Sequence, residues 1–509
     1  MVSWAAATLG TTLLAAAAGA LSALAFPPFD WLAAVWLGPL AWLVLLERGR
    51  GAARTGLAFG CGLVGVGGAW LPSALVDRFE TDPLVAQALY GVAVLSYAGG
   101  FAVLGAGLRG VSRGGTLFPS AVGVGWCFVE LSHLYVWPRL PAIALAAPLI
   151  DTPMAAAAAS VGVHGVSGLV AASSAVLAEF VRRGRTPASR AALPALAVGG
   201  AWLIAVSAGG ISASGAAPGT AVVAVVQPGV RLTRWAGAGW QRAQLDALFE
   251  LTDGRTQADL IVWPENSLGG SLEARPGREL RVARLSRKLG TPILLGAQRL
   301  TRRGRASSAL LFDAAARPAE LAARPAVVYD KRRLLPFAET EPPLLGWLMR
   351  RGLGGLRGRL VAGTAPGVIA LGPLRVEVVI CHEAIFSGRP EDARAALILN
   401  PASDAWLDRT PAPRLHLLLA RWRAVERAAP LVRASSTGIS ALVDADGTLR
   451  KRAGLGERSV LQAALATAPR VTPFERVGYL PAVGAAAVVV CAARRGRPIR
   501  AGRRRNGRA

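Results

Sequence analysis

Long apolar segments dominate the first part of the chain, and one more occurs near its end. Each is long enough, or nearly so, to cross the bilayer hydrocarbon as a helix, which takes about 20 residues. The pattern predicts a transmembrane helical domain at residues 1–211 and a C-terminal transmembrane helix with a basic cytoplasmic tail at residues 471–509. The eight predicted spans are Trp4–Ala25, Trp31–Leu46, Leu57–Leu75, Leu84–Leu108, Thr116–Tyr135, Ala155–Phe180, Ala192–Ala208 and Val477–Ala493.

The pattern changes between these segments, at residues 212–470. Short runs rich in β-branched residues alternate there with amphipathic stretches, which is typical of a layered α/β domain. We predict helices at Ala238–Leu251, Glu279–Leu289 and Arg414–Arg427. The predicted strands are Ala221–Gly229, Ala258–Glu265, Thr291–Gln298, Ser308–Ala314, Ala326–Lys331, Val376–Ile380, Ala395–Ser403, Pro430–Gly438 and Ser440–Gly447.

Basic residues indicate how the spans are oriented. The formal net charge is +26, yet 53% of the residues are hydrophobic and only 17% are charged, a balance that disfavours a soluble nucleic-acid binder. Arginines cluster in alternate loops and in the C-terminal tail, whereas acidic residues collect in the other loops. The positive-inside rule then predicts a cytoplasmic N terminus and an extracytoplasmic domain at residues 212–470. We expect no nucleic-acid partner and a monomeric chain.

Cys381 is the cysteine best placed for chemistry. It ends the apolar run of VEVVICHEAIF, and α/β folds build their sites at strand ends. The other three cysteines lie in apolar segments, so Cys381 has no predicted disulfide partner. It is either a reactive thiol or a small buried hydrophobe, and both interpretations stay open here. The four histidines lack ligand spacing, so we predict no metal site, and we expect no cofactor.

A cysteine nucleophile needs a proton acceptor and a positive or hydrogen-bond-donating group near it. Glu265 in IVWPEN and Lys331 in YDK each follow a β run directly. Lys331 is one of only three lysines among 57 basic residues, and a lysine provides a compact charge whose pKa shifts readily. A solvated strand end for Glu265 and a chance codon for Lys331 are the alternatives, and both stay open.

Taken together, WPEN, YDK followed by PFAE, and ICHE resemble the Glu, Lys and Cys motifs of the nitrilase superfamily. With spans at both ends, and with LAFPPFD, VVQPG, SDAW and ARWRAVERAAPLVRASSTG, the chain is similar to its membrane-embedded branch, the apolipoprotein N-acyltransferase family. The resemblance implies an α+β membrane protein, in which an eight-helix transmembrane bundle carries an extracytoplasmic αββα sandwich. It implies these site residues: Glu265 as general base, Lys331 as transition-state stabiliser, Cys381 as nucleophile, and Glu339, Glu383, His382 and Trp235 as supporting residues.

The resemblance also implies an activity. A fatty acyl chain would pass from a membrane phospholipid, through a cysteine thioester, to the α-amino group of diacylglyceryl-modified apolipoproteins at the periplasmic side of the bacterial inner membrane. Trp347, in an apolar loop flanked by arginines, and Trp406 are expected to contact substrate. His382 and Ser403 depart from the family pattern of tyrosine and asparagine, which affects the expected substrate preference. A membrane-tethered amidase acting on a small amide or nitrile, and a non-catalytic lipoprotein-binding scaffold, are the alternatives.

Overall fold

A computed structural model describes most of the chain. The described residues are 2–46, 51–79, 81–113, 115–136, 143–183, 188–212, 219–231, 238–253, 257–274, 277–314, 326–336, 338–341, 359–388, 395–468 and 470–495.

The first part of the chain forms an apolar helical bundle. Five of its helices are long and apolar enough to cross a membrane, or six if α3 and α4, which meet at a 46° bend, form one span. Helix α2 and the C-terminal helix, which were both predicted to be spans, are apolar but shorter. By length and composition alone, the described residues therefore do not confirm the predicted count of eight spans. The bundle helices are α1 (Val2–Ala23), α2 (Ala34–Leu45), α3 (Gly51–Gly67), α4 (Leu71–Phe79), α5 (Pro83–Leu108), α6 (Leu117–Tyr135), α7 (Ala158–Arg183) and α8 (Ala188–Ser212).

Aromatic side chains from four helices form the centre of the bundle. Trp42 stacks on Phe59 with ring centroids 4.9 Å apart, and Phe101 and Trp126 meet the pair edge to face. Such aromatic pairs add about 0.5–1.5 kcal/mol beyond the burial of their area. One helix is not continuous, because Gly162 near the start of α7 has φ of 69°. The ring of Phe474 lies where a β-carbon at this glycine would be, so both the backbone conformation and the packing require glycine.

The second part of the chain is a sandwich of two six-stranded sheets, here called the sandwich domain (residues 219–467). One sheet has the strand order β12-β1-β2-β3-β4-β5 and the other β11-β10-β9-β8-β7-β6, with parallel strands in the middle of each. All nine predicted strands are present, and β6, β11 and β12 were missed. The strands are β1 (Gly219–Gln227), β2 (Leu260–Val262), β3 (Ile293–Thr301), β4 (Gly304–Phe312), β5 (Ala326–Asp330), β6 (Val368–Leu371), β7 (Leu374–Val378), β8 (Leu397–Ala402), β9 (Leu431–Ser435), β10 (Ala441–Val443), β11 (Leu449–Arg452) and β12 (Ser459–Thr467).

Helices cover the outer face of each sheet, which gives the predicted αββα layers. Helices α9 (Ala238–Thr252) and α10 (Arg278–Leu289) pack on the first sheet, and α11 (Ala412–Arg427) packs on the second. These three helices match the predicted ones within two residues. Leu419, Trp422 and Val425 of α11 also belong to the core of the helical bundle. One helix therefore joins the two domains, since its opposite faces are buried in each. The short helix α12 (Pro473–Val477) and the apolar α13 (Leu480–Arg495) follow the sandwich.

The sandwich domain contacts one end of the bundle. Arg414 pairs with Asp30, which precedes α2, at 2.5 Å, and Arg421 pairs with Asp151. Trp422 donates its indole N–H to the carbonyl of Ala147 at 3.1 Å. Two arginines lie toward the other end, where Arg182 and Arg113 donate to carbonyls at Val44 and Leu46, at the end of α2. These two arginines and the sandwich domain are thus at opposite ends of the bundle.

Candidate active site

Cys381 lies just beyond β7, at the start of a 3-10 turn over Cys381–Ile385. Its backbone has φ of 54°, a left-handed conformation that non-glycine residues rarely adopt and that costs of the order of 1–3 kcal/mol. Asn400 on the neighbouring β8 donates its side-chain N–H groups to the carbonyls of Val379 and Cys381 at 2.7 and 3.0 Å. These two hydrogen bonds therefore connect the strained turn to the adjacent strand.

Glu265 and Lys331 come from the other sheet and converge on the same place. Glu265 follows β2, and a β-carbon at Gly296 of β3 would lie 2.5 Å from its α-carbon, so this close approach requires glycine. Lys331 follows β5, with its ammonium group 3.1 Å from Glu265 Oε1 and 2.7 Å from Glu339 Oε1. Glu265, Lys331, Glu339 and Cys381 line one cavity of about 260 Å³. The structure thus brings together four of the predicted site residues.

Burial and mutual charge set the protonation states in this cavity. Burial raises the pKa of the Cys381 thiol, and the Glu265 charge raises it further, against the opposing effect of Lys331. Burial disfavours the Lys331 ammonium, but Glu265 and Glu339 outweigh it and hold its pKa well above the ordinary value. Burial also raises the pKa of Glu339, against the opposing effect of Lys331. The resting site therefore contains a protonated amine and a protonated thiol, which needs a base before it can attack.

Glu383 and His382 follow the cysteine, and their environments differ sharply. Glu383 Oε1 accepts from the Tyr329 hydroxyl at 2.8 Å and from the backbone N–H groups of Arg332 and Arg333 at 2.9 Å, while its Oε2 accepts from Ile380. It therefore ties the turn to the segment after Lys331. The His382 ring is buried, and neither of its nitrogens has a hydrogen-bond partner among the described residues. Burial lowers its pKa well below the ordinary value, so the ring is neutral.

Of the three tryptophans predicted near the site, the structure describes one. Trp406 lines it together with Ser403 of the SDAW motif. Trp235 and Trp347 lie outside the described residues, and so does the apolar loop at residues 344–349.

A second charged cluster beneath Cys381 was missed at the sequence level. Arg433 of β9 donates to Asn400 Oδ1 at 2.5 Å and to Asp404 Oδ2 at 2.7 Å, and His416 Nδ1 lies 2.8 Å from Asp404 Oδ1. We call Asn400, Asp404, His416 and Arg433 the arginine cluster. Arg433 is fully buried, and an arginine inside the otherwise apolar strand LVRAS was a signal that could have found it.

The thiol of Cys381, Asp404 and His416 also place possible metal-ligand atoms within 4.8 Å of one another. The spacing of the histidines along the chain did not anticipate this group. The Arg433 guanidinium already bonds Asp404, and Ser435 donates to the same carboxylate at 3.2 Å. A fixed positive charge beside the carboxylate disfavours a second cation, so hydrogen bonding accounts for the grouping.

Comparisons with known proteins cover both parts of the chain. Residues 18–176 match the family model of the apolipoprotein N-acyltransferase N-terminal domain, and residues 222–469 match that of carbon-nitrogen hydrolase. An apolipoprotein N-acyltransferase of Caulobacter vibrioides is 30% identical over 489 residues, 91% of either chain, and one of Rhizobium rhizogenes is 31% identical over 506 residues, 92% of either chain. A solved CN-hydrolase superfamily protein from Xanthomonas campestris, 19% identical, aligns over 56% of this chain and 100% of its own with a TM-score of 0.35.

Proposed function

The chain belongs to the apolipoprotein N-acyltransferase family, and on this basis we propose that it transfers a fatty acyl chain from a membrane phospholipid to the α-amino group of the N-terminal diacylglyceryl-cysteine of apolipoproteins. The acyl chain passes through a thioester on Cys381. The observation that carries the proposal is the Lys331 ammonium group, held between Glu265 and Glu339 in the wall of the cavity that Cys381 lines. A thiol, an amine and a carboxylate in one cavity are the groups that thioester chemistry requires.

The first half-reaction loads the enzyme. Glu265 takes the proton of the Cys381 thiol as the sulfur attacks an ester carbonyl of the phospholipid. Lys331 and the backbone N–H of His382 stabilise the tetrahedral oxyanion, and one such donor is typically worth about 3–4 kcal/mol. The ester C–O bond then breaks, the leaving alkoxide takes the proton from Glu265, and lysophospholipid departs.

The second half-reaction delivers the acyl chain. The α-amino group of the diacylglyceryl-cysteine attacks the thioester carbonyl, and Glu265 takes one of its protons. The C–S bond breaks, an amide forms, and the Cys381 sulfur recovers its proton from Glu265. Glu339 positions the amine of Lys331 through their 2.7 Å contact, with its other oxygen fixed by the Leu335 N–H at 2.7 Å.

The placement of the two domains supports a site on the periplasmic side of the bacterial inner membrane. The sandwich domain contacts the bundle end that contains Asp30 and Asp151, opposite the end near Arg113 and Arg182. Under the positive-inside rule, the arginine end faces the cytoplasm. In this proposal α2 and α13 also cross the membrane, which gives eight spans.

The proposal is tested on the purified full-length protein with phospholipid and a synthetic diacylated lipopeptide. We expect mass spectrometry to find a fatty acyl thioester on Cys381 when phospholipid is present alone, and an N-acylated lipopeptide after the peptide is added. Cys381→Ala should abolish both products, whereas Cys491→Ala, which changes an exposed cysteine of α13, should leave both unchanged. Full lipopeptide acylation by the Cys381→Ala protein would exclude the proposed route.

A further inference from the structure

Arg333 differs from the other arginines at the junction of the two domains. Its guanidinium lies 4.4 Å from the centre of the Phe386 ring. The Glu383 carboxylate acts on the guanidinium electrostatically, but no carboxylate lies within ion-pair distance of it among the described residues. The residue is exposed. Four neighbouring arginines of α11 each have a carboxylate partner: Arg414 with Asp30, Arg421 with Asp151, Arg423 with Glu426 and Arg427 with Glu377. A guanidinium that is positioned but not paired is a ready site for an anion.

The position of Arg333 relative to the bundle indicates where that anion comes from. The guanidinium has Tyr135 among its electrostatic neighbours, and the Tyr135 hydroxyl donates to the Ser387 carbonyl at 3.4 Å. Tyr135 is the last residue of the candidate span α6, and tyrosines at span ends lie at the level of the lipid headgroups. Arg333 is therefore at the height where phospholipid phosphates are found.

Arg333 is also linked to the turn that carries Cys381. Its backbone N–H donates to Glu383 at 2.9 Å, and the Phe386 ring beneath its guanidinium contacts the His382 imidazole edge to face, with ring centroids 5.6 Å apart. His382 directly follows the cysteine, is 5% exposed, and has two ring nitrogens without partners among the described residues. Buried polar atoms almost always have a partner, so an incoming oxygen is expected there.

We propose that Arg333, seated on Phe386, binds the headgroup phosphate of the phospholipid acyl donor and so sets which ester reaches Cys381. The proposal rests on the function proposed above and names how its donor is recognised. The esters and the phosphate of a glycerophospholipid share one glycerol unit, so a phosphate fixed beside the turn limits where the ester carbonyls can lie. The ring of His382 donates to an oxygen of the same glycerophosphate unit.

The test compares two donors that differ only in the phosphate, phosphatidic acid and diacylglycerol with the same acyl chains. The rate of acyl-thioester formation on Cys381 is measured by mass spectrometry with the full-length protein in micelles. We expect Arg333→Ala to reduce kcat/KM for phosphatidic acid ~10- to 100-fold, the loss of one charged hydrogen-bonded contact, and to leave diacylglycerol within about twofold. Arg333→Lys should recover part of the loss, because it restores the charge without the two-pronged geometry.

Controls separate this proposal from its alternatives. Arg450→Ala, at an exposed arginine paired with Asp444 in the sandwich domain, should leave both donors unchanged. Equal losses with both donors in Arg333→Ala would mean that the residue only packs on Phe386, which overturns the proposal. Millimolar inorganic phosphate that removed the preference for phosphatidic acid would assign the site to free phosphate instead. If the wild-type protein formed no thioester with either donor, the proposed function would fail; a normal wild type with an unaffected Arg333→Ala would overturn only the phosphate site.

Discussion

Two buried cations lie near Cys381, and their surroundings differ. Lys331 lies between Glu265 and Glu339 in the wall of a cavity of about 260 Å³, and only some hydrogen-bonding positions of the two carboxylates are taken. Arg433 is enclosed, with one nitrogen on Asn400 and another on Asp404. The cavity beside Lys331 has room for a substrate, whereas Arg433 is surrounded by groups of the protein that accept its hydrogen bonds.

The protonation equilibria show the same difference. Burial raises the pKa of Asp404, but Arg433 and His416 outweigh burial and leave its pKa well below the ordinary value. We call Lys331, Glu265 and Glu339 the lysine cluster. In this cluster the effect of burial on Glu339 exceeds that of the Lys331 ammonium group, so the pKa of Glu339 is raised. A buried carboxylate whose charge is fully balanced by neighbouring cations stabilises the fold. One whose charge is only partly balanced can exchange protons during a reaction. The arginine cluster therefore supports the turn on which the lysine cluster acts.

The largest expected effect comes from replacing the cation of the lysine cluster. Lys331→Met removes the oxyanion donor, and we expect acyl-thioester formation to fall by about 10²–10³-fold while the protein stays folded. Lys331→Arg should not restore the rate, because a guanidinium is larger and is not a compact charge. The rate is followed by mass spectrometry and folding by thermal unfolding in detergent. Lys288→Met, at an exposed lysine paired with Asp253, is the matched control and should retain full activity.

The corresponding change in the arginine cluster should affect stability first. Arg433→Met leaves Asp404 charged and buried without its cation, with only the contacts of His416 and Ser435, which costs about 3–5 kcal/mol of unfolding free energy. Thermal unfolding in detergent measures the loss, and Arg450→Met, at an exposed pair, should cost about 0–1 kcal/mol. An Arg433→Met protein that melts like wild type but has lost its activity would show that the arginine cluster takes part in the chemistry, contrary to the division drawn here.

The sequence predicted the lysine cluster far better than the arginine cluster, and the reason is physical. Glu265, Lys331 and Cys381 each lie within three residues of the end of a strand, and residues at strand ends in a layered α/β fold meet at one edge. Asp404 and His416 lie in a loop and on a helix, so no local pattern relates them to Arg433.

Some strands could not be predicted for the same reason, because no local sequence pattern marks them. Most residues of the missed strands β6, β11 and β12 are exposed or half-exposed, so their hydrophobic pattern is weak. Their place in the sheets comes from long-range pairing, as between β1 and β12. The count of eight spans stays a prediction for a similar reason, because the apolar run that contains α2 is interrupted by turns and leaves only 12 helical residues.

A third buried carboxylate, Glu475 of α12, also has an arginine partner that does not fully balance its charge. It lies 3.7 Å from Arg427, which Glu377 also contacts, and burial raises its pKa to about 7. Because the folded pKa is above the unfolded value of about 4.3, its contribution to stability is full below that value and is lost as pH rises through about 7. We expect the melting temperature to fall between about pH 4 and 7, by the equivalent of roughly 1–4 kcal/mol, and to change little at higher pH.

Glu475→Gln should remove most of this pH dependence and make the protein more stable than wild type at pH 8. Asp404→Asn should do the opposite, with a loss of stability across the same range, because Asp404 is compensated and stays charged. Thermal unfolding at several pH values compares the two variants directly. Equal pH profiles for wild type and Glu475→Gln would mean that Arg427 compensates Glu475 as fully as Arg433 compensates Asp404.

The smallest expected effect concerns His382. Its pKa is well below the ordinary value because of burial and the nearby positive charges of Lys331 and Arg333. A ring that stays neutral cannot shape the pH dependence of the reaction. His382→Phe keeps the flat ring on Phe386 and should lower thioester formation from phospholipid only about fivefold, one neutral hydrogen bond of about 1 kcal/mol. Plots of kcat/KM against pH for the variant and the wild type should have the same limbs. If one limb of the wild-type plot were missing in His382→Phe, the histidine would titrate together with the lysine cluster. The distinction between groups that exchange protons and groups that only support the turn would then be wrong.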